Sequence, residues 1–129
     1  MCKYMIKFAY SSGSLARMVK VIDDRTTAVR ILVESLGGSL DAMYWDVQKS
    51  SSYAIAELPD AVSAVAAISA AAKTGAFLSV EADELLTEDQ IHDALVLAKD
   101  ASSVYYAPGR AAIEADPHLQ DGEIDHSLT

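Results

Sequence analysis

Lys7 is the side chain with the most chemical promise in this sequence, because of where it stands. Residues 3–10, KYMIKFAY, alternate with period two: Tyr4, Ile6, Phe8 and Tyr10 fall on one strand face, and Lys3, Met5, Lys7 and Ala9 on the other. A strand lysine is costly to bury unless it is paired, and burial readily shifts its pKa. Lys7 therefore reads as an anion anchor or an amine kept for chemistry. The alternative is a structural lysine that snorkels to an edge or pairs with Glu57 or Glu81, which is the commoner use of such a residue.

Four phenols and a carboxylate accompany it. Tyr4, Tyr10, Tyr44 and Tyr53, with Asp46, are expected to line a pocket between a sheet and its helices. Phenols beside one carboxylate suit proton transfer on an aromatic or enolisable substrate. They serve equally well as a core whose tyrosine hydroxyls reach solvent or backbone. The catalytic candidates are Lys7, Tyr10, Tyr44 and Asp46. The ligand-binding candidates are Tyr4, Tyr10, Arg17, Tyr44 and Tyr53, with Arg17 near a helix start where it could guard a pocket mouth. Arg30 pairs most simply with Glu34 one helical turn on.

Other chemistry has little support. Cys2 is the only cysteine, which rules out an intramolecular disulfide or a cysteine-based zinc site. His92 reads as a helix-surface residue. His118 and His126, with Asp116, Asp121 and Asp125, lack metal-ligand spacing, and no metal site is expected. There is no Gly-rich phosphate loop, nucleophile elbow, H-E-x-x-H or dinucleotide fingerprint, so no cofactor is expected. Nineteen acids against ten bases give a net charge of −9, which argues against nucleic acid and anionic membrane as partners. Five of those acids lie beyond Arg110, in a tail with no Lys or Arg. The N-terminus has no signal-peptide core, and the apolar run around residues 64–72 is too short to span a bilayer, so a cytoplasmic location is expected.

The elements that must position these groups follow from periodicity and punctuation. After the first strand, Ser11-Ser12-Gly13-Ser14 offers N-cap hydroxyls to a helical piece with Leu15, Met18, Val19 and Ile22 on one stripe. A break is expected at residues 23–27. A second piece carries Val29, Leu32, Val33 and Leu36 and ends at Gly37-Gly38. Residues 39–47 form the second strand, with Leu40, Ala42, Tyr44 and Asp46 on one face and Met43, Trp45 and Val47 on the other. A polar turn joins it to a third strand over residues 53–58, and so short a loop demands an antiparallel hairpin. Pro59-Asp60 opens a helix with a stripe of Ala61, Val65, Ile68 and Ala72. A fourth strand covers residues 76–82, with Phe77, Ser79 and Glu81 on one face. Thr87 and Gln90 form a capping box for a last helix with Ile91, Leu95 and Ala98 on its inner face.

The order β-α-β-β-α-β, followed by a helix and a tail, gives an α+β fold of the ferredoxin-like kind. It has a four-stranded antiparallel sheet, two helices on one face, and the first and third strands central. Residues 1–101 form one domain including the last helix, and 102–129 are an extension and acidic tail. Met43, Trp45, Val47, Ala54, Ala56 and Leu58 would be left bare on the second face of the sheet, and a patch of that size asks for a cover. The expected cover is a second copy, making a homodimer through the face with Met43, Trp45 and Val47.

The segments KYMIKFAYSSGS, LVESLGGSLDAMYW, AELPDAVSAVAAISA and LLTEDQI together resemble the GYD-domain family, over roughly residues 3–92. That family is a group of bacterial and archaeal proteins related to the dimeric α/β-barrel superfamily. One departure stands out: the Gly-x-Tyr-Asp turn that names the family would fall at the hairpin turn, where this chain has Gln48, Lys49, Ser50 and Ser51. The resemblance implies a dimeric α/β barrel more than it implies a reaction. Three functions stay open. The first is an accessory homodimer binding a small organic ligand or a partner protein. The second, implied by dimeric α/β-barrel relatives, is a cofactor-independent oxygenase, isomerase or cyclase. The third is a structural oligomerisation module.

Overall fold

A computed structural model describes residues 1–46, 48 and 50–109 of the chain. Val47, Lys49 and residues 110–129, which hold the tail histidines and acids, lie outside them. The elements run β1 (Cys2–Tyr10), α1 (Ser12–Lys20), α2 (Arg25–Ser35), β2 (Ser39–Asp46), β3 (Ser51–Leu58), α3 (Ala61–Ala72), β4 (Phe77–Leu85) and α4 (Glu88–Ala101). The four strands form one antiparallel sheet in the order β2-β3-β1-β4, with β1 and β3 central. This is a ferredoxin-like α+β fold, with the first helical region split in two at residues 21–24.

The chain divides into two compact units at Leu85/Leu86. The first holds the sheet and α1 to α3. Its core is Tyr4, Ile6, Phe8 and Tyr10 from β1, Ala54, Ala56 and Leu58 from β3, Val29 and Val33 from α2, and Ala64 and Ala71 from α3. The second unit begins at Leu86 and, among the described residues, contains α4. Both halves of the expected capping box form there: Thr87 Oγ1 accepts from the Gln90 N–H at 3.2 Å, and Gln90 Oε1 accepts from the Thr87 N–H at 2.9 Å. Ile91 and Leu95 are not on a buried face, however. No residue of α4 is buried.

Two bulges decide which side chains face the helices. In the β2–β3 ladder, Leu40 pairs with Ala56 but Ala42 pairs with Ile55, so Asp41 is an extra residue. It turns Leu40, Met43 and Trp45 to the core side, and Ala42, Tyr44 and Asp46 to the other. The uninterrupted alternation read from the sequence is corrected at this point. The larger correction is to the bare face. Ala54, Ala56 and Leu58 are fully buried under the helices, and Met43 packs against the same core. The sheet face turned away from α1–α3 instead carries Met5, Lys7, Tyr53 and Ile55. A second bulge leaves Leu78 unpaired, because Ala9 faces Ser79 while Tyr10 faces Phe77. Phe77 is thereby moved onto the core side with Val80 and Ala82.

Helix stripes also differ in detail. In α2 the expected stripe holds, with Val29 and Val33 buried. In α1, Leu15 and Met18 face the core, but the helix ends at Lys20 and leaves Val19 and Ile22 exposed. In α3 the buried residues are Ala64, Ala67 and Ala71, while Ala61, Val65 and Ala72 are exposed. The smallest side chains let this helix approach the sheet closely, and Val65 is left outward.

Aspartates start α2 and α3. Asp24 accepts from the Thr27 hydroxyl at 2.7 Å and N–H at 3.1 Å, and Asp60 from the Ser63 N–H at 2.8 Å and hydroxyl at 2.9 Å. These bonds hold both carboxyls below the ordinary value of 3.8, led by the Thr27 hydroxyl at Asp24 and by the Ser63 N–H at Asp60. Because the folded pKa is the lower one, this stabilisation is complete above 3.8 and is lost as pH falls through the depressed folded values. Thermal melts should therefore show Tm dropping in that acid range. The drop should be shallower in Asp24→Asn/Asp60→Asn, which still caps but carries no titrating group. An equal slope in the variant would assign the acid sensitivity elsewhere.

Candidate functional site

At the end of the sheet where β1 runs into α1, a cleft of about 360 Å³ opens. Tyr10 and Phe77 give it aromatic surface, Met18, Val21 and Ala76 add aliphatic wall, and Arg17, Lys20, Arg25 and Asp23 supply charge. Each contribution has a local cause. Tyr10 is the last residue of β1, and Phe77 reaches it through the Leu78 bulge, with ring centroids 5.1 Å apart. Arg17 and Lys20 are one turn apart on α1, and the break between α1 and α2 presents Asp23 and Arg25.

The aromatic side is rigid. Tyr10 is 5% exposed and stacks on Trp45, with centroids 5.2 Å apart and an interplanar angle of 11°. Its hydroxyl shares a 3.0 Å hydrogen bond with buried Ser52. At the start of α1, the buried Ser14 hydroxyl donates to the Ala76 carbonyl and accepts from Arg17 Nη2 at 3.1 Å. The Ser11 N–H donates to the same carbonyl at 3.2 Å. This knot ties the ends of β1, α1 and β4 together and fixes one edge of the Arg17 guanidinium.

Arg25 is the charge most built into the site. Its Nη1 donates to Asp23 Oδ2 at 3.0 Å, and its side chain is only 28% exposed. Its Nε is shielded from solvent, and no described residue accepts a hydrogen bond from it. Burial works against the charged form, but Asp23 and the nearby Tyr10 oxygen outweigh it, so the guanidinium pKa stands above its ordinary value. Arg25 also lines two neighbouring clefts of about 290 and 320 Å³, the first with Trp45 and Ile22, the second with Phe8, Val29 and Leu32.

The structure divides the residues singled out from sequence. Tyr10 and Arg17 meet in the cleft. Tyr44, Tyr53, Asp46 and Lys7 lie on the opposite face of the sheet, where Tyr44 is directly across from Tyr53. The single chamber of tyrosines between sheet and helices is corrected accordingly. Lys7 Nζ sits 6.0 Å from the Tyr53 ring centre and faces Glu81 across the ladder. Glu57 is opposite Lys3 instead, and Lys3 forms its ion pair with Asp41 at 3.1 Å. Tyr4 is in the core, six residues along β1 from Tyr10. Its hydroxyl is buried, and burial, with Glu84 and the nearby Cys2 adding to it, raises the phenol pKa. Sequence reading missed Lys20, Asp23, Arg25 and Phe77. The i, i+3 spacing of Arg17 and Lys20 beside a helix break was the available signal for the first three. Among the described residues, no three His, Cys, Asp or Glu side chains gather to hold a metal, and no helix is long and apolar enough to cross a membrane.

Fold and cleft together define a ferredoxin-like α+β domain with a charged cleft at the end of the sheet where β1 runs into α1. Residues 4–95 match the GYD domain model, and the chain belongs to the GYD-domain family. The family assignment holds although the Gly-x-Tyr-Asp sequence is absent. Ser50, in the hairpin turn, takes the left-handed φ of 51° that glycine adopts at least cost. No curated protein matches the chain.

Proposed function

We propose that this GYD-domain protein is a homodimer that binds a small organic molecule in an accessory role, with the ligand seated between Tyr10, Phe77 and the α1–α2 junction. The observation that carries this reading is the cleft itself. Its volume of about 360 Å³ falls in the roughly 300–1,000 Å³ range of small-molecule sites. It combines apolar walls with a few fixed polar groups, the usual composition of such sites.

The sheet face turned away from α1–α3 supports the dimer. Met5, Ile55 and Tyr53 are half-buried there, and Tyr44 is 65% exposed. The charges are arranged in rows: Lys3 and Lys7 on central β1, with Glu81 and Asp83 on the adjacent edge strand β4. A second copy related by a two-fold axis can lay its acidic row against the first copy's lysines while apolar residues meet between them. The interface is thus assigned to the Met5–Lys7–Tyr53–Ile55 face and not to Met43 and Trp45.

Native mass spectrometry tests both parts. A mass of two chains is expected, with a small adduct retained from the host and released on denaturation. Ile55→Glu should give a monomer, because a carboxylate buried at a dimer centre without a partner is strongly unfavourable. An Ile55→Glu protein as dimeric as the parent would sink this interface. A parent that never carries or takes up a small molecule would sink the ligand role.

A further inference from the structure

The cleft's charges say what kind of molecule it takes. In a chain with net charge −9, three of ten Lys and Arg residues line this one cleft, and among the described residues Asp23 is the one carboxylate that lines it with them. We infer that the ligand is a small aromatic carboxylate, its ring against Tyr10 and Phe77 and its carboxylate between Arg17, Lys20 and Arg25. This rests on the reading of the cleft as a ligand site and goes beyond it in fixing the ligand's charge and shape.

Three features support the assignment. The first is donor capacity. Arg17 uses Nη2 on Ser14 and Arg25 uses Nη1 on Asp23, which leaves further guanidinium donors on both. Planar guanidinium groups match the two oxygens of a carboxylate. The second is the floor. Tyr10 and Phe77 line the cleft with aromatic surface, and Tyr10 is held rigid by Ser52, Trp45 and Phe77. The third is the position of Asp23. It occupies Arg25 when no ligand is bound and would compete with an incoming anion for the same guanidinium.

Trp45 makes the test direct, since it is the sole tryptophan and stacks on Tyr10. Its indole N–H resonance and the backbone amides of Ser14, Arg17 and Phe77 would be followed while the full chain is titrated with benzoate, benzamide or acetate. Benzoate is expected to shift these signals and to bind at least tenfold more tightly than either of the others. The double variant Arg17→Gln/Lys20→Gln changes two exposed helix positions. It should weaken benzoate at least tenfold. Asp23→Asn, which frees Arg25, should tighten benzoate severalfold. Benzamide binding as well as benzoate would overturn the charge assignment while leaving a ligand cleft in place. Acetate binding as well as benzoate would overturn the aromatic assignment in the same way. If none of the three moved the cleft signals, both this inference and the cleft's role as a ligand site would fall.

Discussion

Among the described glycines, Gly38→Ala is expected to be the most damaging substitution by alanine. Gly38 lies just past α2, where the chain turns from helix into β2. The Gly37 N–H donates to the Glu34 carbonyl and the Gly38 N–H to the Val33 carbonyl, both at 3.0 Å, with Gly37 at φ 83°. That closure presses Gly38 flat on β3. A Cβ there would sit inside the van der Waals shell of the Glu57 carbonyl oxygen, 2.9 Å from Leu58 Cδ2 and 3.1 Å from Val33 Cγ1. Leu58 and Val33 are both fully buried, and the carbonyl belongs to a central strand, so none of the three can move cheaply. Overpacking of this kind costs about 1–3 kcal/mol or more, a large part of a small domain's total. Gly37→Ala meets only Pro59 Cγ at 3.5 Å and bears mainly the left-handed strain of about 1–2 kcal/mol. Urea unfolding should therefore rank parent, Gly37→Ala and Gly38→Ala in falling stability. A Gly38→Ala protein as stable as Gly37→Ala would mean that β2 can lift from β3, contrary to the packing described.

The same junction shows what the sequence makes legible. Gly-Gly after a 3.6-period stripe, Asp60 before an alanine-rich helix and the Thr87/Gln90 box are local signals, and each produced the element it announced. What period-two counting could not reveal was where a strand skips a beat. Asp41 and Leu78 have no turn or glycine signature, yet each reverses the faces of the residues beyond it. An error of face then propagates: the surface assigned to a second copy was the one the helices cover. Alanine misled for a related reason. In α3 every candidate stripe looks apolar, and which one faces the sheet depends on how close the helix must come. The cleft was half legible. Tyr10 and Arg17 stand out by type, but Phe77 arrives through a bulge and Arg25 through a helix break, and those are tertiary facts. Lys7 shares its strand face with Lys3 and Met5 as the alternation predicts, with its partners set by register and not by proximity in sequence.

Tyr10 is where fold and site depend on one side chain, and Tyr10→Ala should damage both. The ring is 5% exposed, stacked on Trp45 and tilted against Phe77, so truncation removes a large buried aromatic and leaves two others without their neighbour. Large aromatic-to-alanine changes in cores cost about 3–5 kcal/mol. Tyr10→Phe is the informative contrast. It keeps the stack and removes only the hydroxyl that shares a 3.0 Å bond with Ser52, leaving the buried Ser52 hydroxyl without that partner at a cost of about 1–3 kcal/mol. Ser52→Ala should cost a similar amount, and the double variant should lose less than the sum, by a coupling of about 1 kcal/mol. The functional consequence separates the two roles proposed for this tyrosine. As an aromatic floor it works through its ring, so Tyr10→Phe should bind benzoate as the parent does while Tyr10→Ala does not bind it under conditions where it remains folded. As a proton-transfer group it would need its hydroxyl, and Tyr10→Phe would then lose any turnover while keeping the ligand. Unfolding curves for the four proteins, read beside the Trp45 titration, distinguish these outcomes. A Tyr10→Phe protein that is fully stable but unable to bind benzoate would contradict the ring assignment and return the phenol to the chemistry of the cleft.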